Sequence, residues 1–368
     1  MAVCARPREK LKSFFPVITC IHPSFAAARL LGACLALGAL AVSAQTPPPE
    51  AQALLARGQQ AFEAGDFARA MREFEAARAL APENREVFRG LLLSYLQGGG
   101  FPQAIAAGTE AVERWPRDPD FRHWLGLAYF QNREPAPAIE QLQKAAQLAP
   151  RNADVHHDLA LVFLDQRQYP QAAAQLEKVV RLRRVALDHV LLGRAYQNSN
   201  RSLRAIEEFK SALRLDPNLP LGHYHLGFAY ASVGRNDEAI AELARDATSS
   251  QTNPEVFYQY GHTLLESGCW KPAVAALERA LQLAPNHQDA LYDLGKARLL
   301  IGDIAAAIAA LERAVQLDPQ DASAYYQLSR ALSRKGDQEG ARAALARFDE
   351  LKKTQQQTGG MATGRERK

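Results

Sequence analysis

The chain has 368 residues, 47% hydrophobic, 23% charged and 8% aromatic. That balance fits a globular protein and excludes a disordered or collagen-like chain. The formal net charge of +4 sits in the first 44 residues, which hold five of the 44 basic residues and one of the 40 acids; the rest carries 39 of each, so the concentrated basic field that nucleic-acid binding needs is missing.

The first 29 residues are basic, with Arg6, Arg8, Lys10, Lys12 and Arg29 against Glu9. Leu30 to Ala44, LLGACLALGALAVSA, is apolar and ends in the small-residue pattern Val42-Ser43-Ala44. These three parts predict a signal peptide over 1–44, cleaved after Ala44, and hence an exported protein in the periplasm or beyond. An uncleaved anchor is the lesser alternative, because the apolar run is shorter than the roughly 20 residues of a spanning helix. Of Cys4, Cys20, Cys34 and Cys269 only the last survives cleavage, so no internal disulfide is expected. A proline-rich linker, 45–50, follows.

From residue 51 one pattern returns. Ala186 to Leu219 reads at helical period as two short amphipathic helices. Leu192, Gly193 and Tyr196 share a face of the first, and Ala205, Phe209 and Ala212 a face of the second. Asp216-Pro217 stops the pair, since proline lacks the N–H and disfavours helix in the residue before it. The mid-helix alanine recurs at Ala70, Ala104, Ala138, Ala172, Ala205, Ala239, Ala273, Ala307 and Ala341, every 34 residues with one step of 33. The terminating proline recurs at Pro82, Pro116, Pro150, Pro217, Pro285 and Pro319. A fixed period of this length is a solenoid signature, and it defines nine units over 51–355. The eighth residue of each unit is small in eight of nine, so the two helices approach closely. The fifteenth, in the turn, is Gly65, Gly99, Gly234, Gly268, Gly302 or Gly336 in six units and Asn200 in a seventh. Arg133 and Arg167 fill it in units three and four, where less regular turns are expected.

This pattern resembles the tetratricopeptide repeat (TPR), carried by Leu192-Gly193, Tyr196, Ala205, Phe209 and Pro217 and repeated over 51–355. The departures are His156, His189, Phe257 or Leu291 at the position of a tryptophan, and irregular unit ends at Arg184 and Gln251. The resemblance implies an all-α fold, a right-handed solenoid of about nine helix-turn-helix units. Units four to six are expected to be weakest: unit four is a residue short and lacks its proline, and unit six puts Asp246 where Ala212 or Ala280 packs elsewhere. Residues 356–368, polar and aperiodic, read as a disordered tail.

Chemistry is sparse. No CxxC, HExxH, GxGxxG or phosphate-loop pattern occurs, and His156/His157 and His223/His225 diverge at their spacings. Cys269 reads as the replacement of a usual acid at the turn, and Trp270 as a packing aromatic. No cofactor, no metal and no catalysis are expected. In proteins similar to this one the first helix of each unit lines a concave groove through its fifth, ninth, twelfth and thirteenth residues. The resemblance then implies Arg89, His123, His157, Tyr224, Tyr258, Tyr292 and Tyr326 at the fifth position. It implies Leu93, Leu127, Leu161, Arg194, Phe228, His262, Lys296 and Arg330 at the ninth, with Arg334 at the thirteenth.

The leucines read as exposed apolar surface in want of a partner. Lys296, Arg330 and Arg334 between the tyrosines read either as a strip for an acidic segment or, with Glu255, Glu266, Asp289 and Asp293 on the same helices, as a neutralised, solvated face. The function expected is a non-enzymatic exported scaffold that binds an extended peptide or helix in the groove. The alternative is an accessory or glycan-binding factor in cell-envelope or polysaccharide assembly, beside a separate catalytic polypeptide.

Overall fold

The computed structural model describes residues 48–249 and 253–364, so the expected leader and half of the linker lie outside the described residues. Among the described residues there are eighteen helices and no strand. They fall into nine antiparallel pairs, a first (A) and a second (B) helix each. Units one to three are α1 (Pro49–Glu63) with α2 (Phe67–Leu80), α3 (Arg85–Gln97) with α4 (Phe101–Arg114), and α5 (Pro119–Gln131) with α6 (Pro135–Leu148). Units four to six are α7 (Ala153–Asp165) with α8 (Tyr169–Leu182), α9 (Ala186–Asn198) with α10 (Ser202–Leu215), and α11 (Gly222–Ser232) with α12 (Asn236–Ser249). Units seven to nine are α13 (Pro254–Glu266) with α14 (Trp270–Leu283), α15 (Gln288–Ile301) with α16 (Ile304–Leu317), and α17 (Ala322–Lys335) with α18 (Gln338–Gly364). Each A helix packs on its own B helix and on the B helix before it, and A helices approach one another from unit to unit where B helices do not. The A helices therefore form the inner side of the stack.

Local chemistry starts and stops these helices. Asn84, Asn152, Asn253 and Asp321 accept backbone N–H bonds in the first turns of α3, α7, α13 and α17, satisfying donors a helix start leaves open. The recurring prolines follow one residue beyond the C-cap, as Pro82 follows Ala81. The mid-helix alanines are fully buried in eight units. Opposite them, a Cβ on Gly193 would lie 2.5 Å from the Phe209 ring, so only glycine admits that crossing.

The structure bears on four expectations. Arg133 and Arg167 take left-handed φ values of 66° and 55°, and their turns match the glycine turns: Glu134 N–H bonds Tyr129 O at 2.9 Å and Gln168 N–H bonds Phe163 O at 2.8 Å, as Gly100 N–H bonds Tyr95 O at 2.8 Å. The helix-to-helix packing imposes the turn whatever residue occupies it. Unit four, lacking proline, ends through Arg183, whose guanidinium spans Asp188 (2.7 and 3.1 Å) and Asp154 (2.5 Å). In unit six, Asp246 is 4% exposed yet accepts the backbone N–H of Tyr224 at 2.5 Å. That bond serves the start of α11, whose N-cap Leu221 is left-handed and offers no capping side chain. Residue 251, expected as an irregular end, lies outside the described residues. Finally, α18 runs on to Gly364, into the stretch expected as a tail.

No described helix is long and apolar enough to cross a membrane.

Candidate functional site

All the groove candidates stand on A helices. Arg89 and Leu93 are on α3, His123 and Leu127 on α5, His157 and Leu161 on α7, and Arg194 on α9. Tyr224 and Phe228 follow on α11, Tyr258 and His262 on α13, Tyr292 and Lys296 on α15, and Tyr326, Arg330 and Arg334 on α17. Leucines are not the exposed surface expected: Leu93 is buried and Leu127 and Leu161 are half-buried, each packing against the core formed with neighbouring units. Arg89 is held to Glu86 of its own helix at 3.1 Å.

In units three to five the polar residues form a relay from helix to helix. His123 Nε2 lies 2.7 Å from Asp158, His157 Nδ1 lies 3.2 Å from the same carboxylate, and His157 Nε2 lies 3.7 Å from Asp188. Asp188, 1% exposed, is closed from the other side by Arg183. Burial raises the pKa of Asp158, but the bonds to His123 and His157 outweigh it and hold the carboxyl at about 2. His156, next to His157, points elsewhere, to Gln175 (2.9 Å) and Pro150 O (3.1 Å).

Unit five marks the change of character. Burial lowers the pKa of Arg194, which shares its surroundings with Tyr224 and Tyr169. Burial raises the Tyr224 phenol and pushes neighbouring His225, stacked on Phe209 at 5.4 Å, down to about 4. Beyond it, consecutive A helices carry Tyr224, Tyr258, Tyr292 and Tyr326; the first three are half-buried and Tyr326 is 43% exposed. Tyr326 rests on Phe348 at 5.4 Å, with Arg330 over its ring at 6.0 Å.

At Lys296 the cationic strip is neutralised by an acid of the neighbouring helix, the second of the two readings of the sequence. Lys296 donates to Glu266 at 2.7 Å and His262 pairs with Asp293 at 2.7 Å, so these groups tie α13 to α15. Arg330 bonds Gln327 at 3.1 Å and Arg334 donates to Leu299 O at 2.9 Å. A strip of Lys296, Arg330 and Arg334 therefore shrinks to the two exposed arginines of α17 together with exposed Lys335. Helix α17 has three cations and no acid; among the A helices before it only α11 also lacks an acid, and it carries neither lysine nor arginine.

Sequence reasoning missed the histidine–carboxylate pairs between A helices. Their signal is an acid in one unit matching the height of a histidine in its neighbour, visible only after the units are stacked. Among the described residues, no group of three His, Cys, Asp or Glu side chains is arranged to hold a metal. Cys269 is exposed and makes no capping bond at the start of α14, and Trp270 is 40% exposed, packing less than expected. An open cavity of about 600 Å³ at Arg85, Arg114, Trp115 and Asp118 contains none of the groove candidates.

Models of the tetratricopeptide repeat match residues 55–112, 89–153, 259–328 and 301–356, and a TPR repeat model matches 193–234. The chain belongs to the tetratricopeptide repeat family. Similar solved structures include that of MamA, 26% identical over 45% of this chain and 97% of that one, TM-score 0.43. YrrB, described as a TPR protein with an unusual peptide-binding site, is 22% identical over 49% and 93%, TM-score 0.45. The APC/C hetero-tetramer Cut9–Hcn1 is 20% identical over 76% of this chain and 55% of that one, TM-score 0.48. No curated protein matches the chain.

Proposed function

We propose that this protein is a non-enzymatic scaffold whose inner helical face binds an extended peptide segment or a helix of a partner protein. The observation that carries the reading is the row of Tyr224, Tyr258, Tyr292 and Tyr326 on four consecutive A helices, ending at the acid-free helix α17. Aromatic side chains lose few rotamers on binding and offer both apolar area and a hydroxyl. Arg330, Arg334 and Lys335 favour an acidic residue in the partner at that end. The leader supports a site of action outside the cytoplasm, which N-terminal sequencing of the mature protein tests: a start at Gln45 is expected, and a chain that keeps Leu30 to Ala44 overturns export by cleavage.

An array of immobilised peptides, acidic and neutral, tests the binding. Peptides that bind the full chain should lose it in Tyr258→Ala/Tyr292→Ala and keep it in Trp270→Ala, which lies off the groove. Arg330→Ala/Arg334→Ala should weaken acidic peptides more than neutral ones and flatten the salt dependence. Retained binding in the double tyrosine variant would move the site off the inner face.

A further inference from the structure

Helices α13 and α15 are joined by three side-chain pairs strung along their length. At one end, Glu255 meets His287, the N-cap of α15, with Nε2 to Oε2 at 3.4 Å. In the middle, His262 Nδ1 and Asp293 Oδ2 are 2.7 Å apart. At the other end, Lys296 Nζ donates to Glu266 Oε1 at 2.7 Å. Two of the three depend on an imidazole, the one side chain whose ordinary pKa places its charge change near neutrality. Tyr258 sits between those two imidazoles, its ring 4.6 Å from His287 and 5.9 Å from His262.

We propose that His262 and His287 form a proton-operated clamp between units seven and eight: protonated, they bind α13 to α15 and hold Tyr258 between them; neutral, they let the junction loosen from the Tyr258 end. Charge accounts for the direction. Asp293 is 4% exposed, and a buried carboxylate that loses its cationic partner is left poorly compensated. His262 faces Asp293, Glu266 and Lys296; the bond to Asp293 comes first among the causes and raises its pKa above the usual imidazole value. His287 faces Glu255 and Asp289; burial lowers it, and the Glu255 carboxylate more than offsets that, so its pKa is raised too. Glu255 also faces Tyr224 of α11, whose phenol stays neutral across this range. Lys296–Glu266 keeps its charges throughout, so the two helices stay hinged at that end.

Sign follows from linkage. Both groups have folded values above their unfolded ones, so their contribution is complete below about pH 6.5 and is lost as pH rises through the folded values. The junction between α1 and α3 is the internal reference, because neither helix carries a histidine.

The proposal rests on the groove reading only for what a released Tyr258 would meet, and its test uses the protein alone, so failed peptide binding leaves it standing. Hydrogen exchange of the full chain is measured at about pH 5.5 and about pH 8.5 and corrected for intrinsic rates. Protection of α13 and α15 should fall at the higher pH, while α1 and α3 hold theirs. In His262→Gln/His287→Gln the change should vanish. Equal protection at both pH values in the wild type, or an unaltered change in the variant, overturns the clamp. Should the variant not fold, histidine titration of the wild-type chain by NMR decides: both imidazoles must titrate above about 6.5, and values at or below it end the proposal.

Discussion

In units two to four the ninth residues of the inner helices are Leu93, Leu127 and Leu161, buried or half-buried, and a His123–Asp158–His157–Asp188 relay that Arg183 closes runs across units three to five. In units six to nine the ninth residues are Phe228, His262, Lys296 and Arg330 and the fifth are tyrosines, and His262–Asp293 and Lys296–Glu266 pair one A helix with the next. One backbone plan thus supports two inner faces. The first spends its ninth position on apolar packing; the second spends it mostly on polar side chains, two of which pair with a neighbouring A helix. The difference shows that a repeat position marks only where a side chain stands, and that its neighbours one unit away decide whether it is free to meet a partner.

The sharpest way to break this comparison is to remove the carboxylate at the centre of each half. Asp188→Ala removes the buried carboxylate that Arg183 bonds twice, leaving the arginine with Asp154 alone, and should cost about 3 kcal/mol. Asp293→Ala should cost less, about 1–2 kcal/mol, because His262 is 40% exposed and can shed its proton once the partner is gone. Urea unfolding with exchange protection of each half measures both; equal losses would erase the distinction.

A second contrast is acid response at the boundary. His225 is held near 4 by burial and by the charge of Arg194, so the folded state resists a proton that the unfolded chain accepts. Its contribution is present above about pH 6.5 and is lost as pH falls toward 4, opposite in sign to His262 and His287. His225→Phe keeps the stack on Phe209 and should recover about 1–2 kcal/mol near pH 5 relative to wild type. A pH profile that matches wild type would remove His225 as the acid-sensitive group.

Asp246 gives a smaller effect. In the sequence it looks like a polar defect in a packing position; in the structure it serves the Tyr224 N–H at the uncapped start of α11. Asp246→Ala should therefore destabilise by about 1 kcal/mol, the size of a lost helix cap. A more stable variant would restore the sequence reading.

Asp246 also shows what was legible in the sequence. Period, helix pairs, mid-helix alanines and the close crossing at Gly193 follow from local spacing, so they were readable. The roles of Asp246, Arg183 and Asp293 were not, because each partner lies 5 to 31 residues away and on another element, at a height set by stacking. The groove was placed by its period, yet whether Lys296 was free depended on Glu266, 30 residues earlier. Long-range charge pairing leaves no periodic trace.

The smallest prediction concerns the turns, where the two halves also differ. Units six to nine turn through Gly234, Gly268, Gly302 and Gly336, all at positive φ, whereas units three and four use Arg133 and Arg167 at 66° and 55°. An L-residue there crowds its Cβ against the backbone, at roughly 1–2 kcal/mol. Replacing it by glycine relieves that strain and gives back roughly 0.5–1 kcal/mol through the freer unfolded chain. No described bond of the turn needs the arginine, since the chain reversal is made by backbone N–H groups of Glu134 and Gln168. Arg133→Gly and Arg167→Gly should thus each stabilise by about 0.5 kcal/mol, and Gly268→Arg in the other half should destabilise by about 1 kcal/mol. Thermal unfolding of the three variants decides. A loss in both glycine variants would mean that the arginine stems cover apolar surface worth more than the strain, and the two sets of turns would then differ in packing rather than in backbone cost.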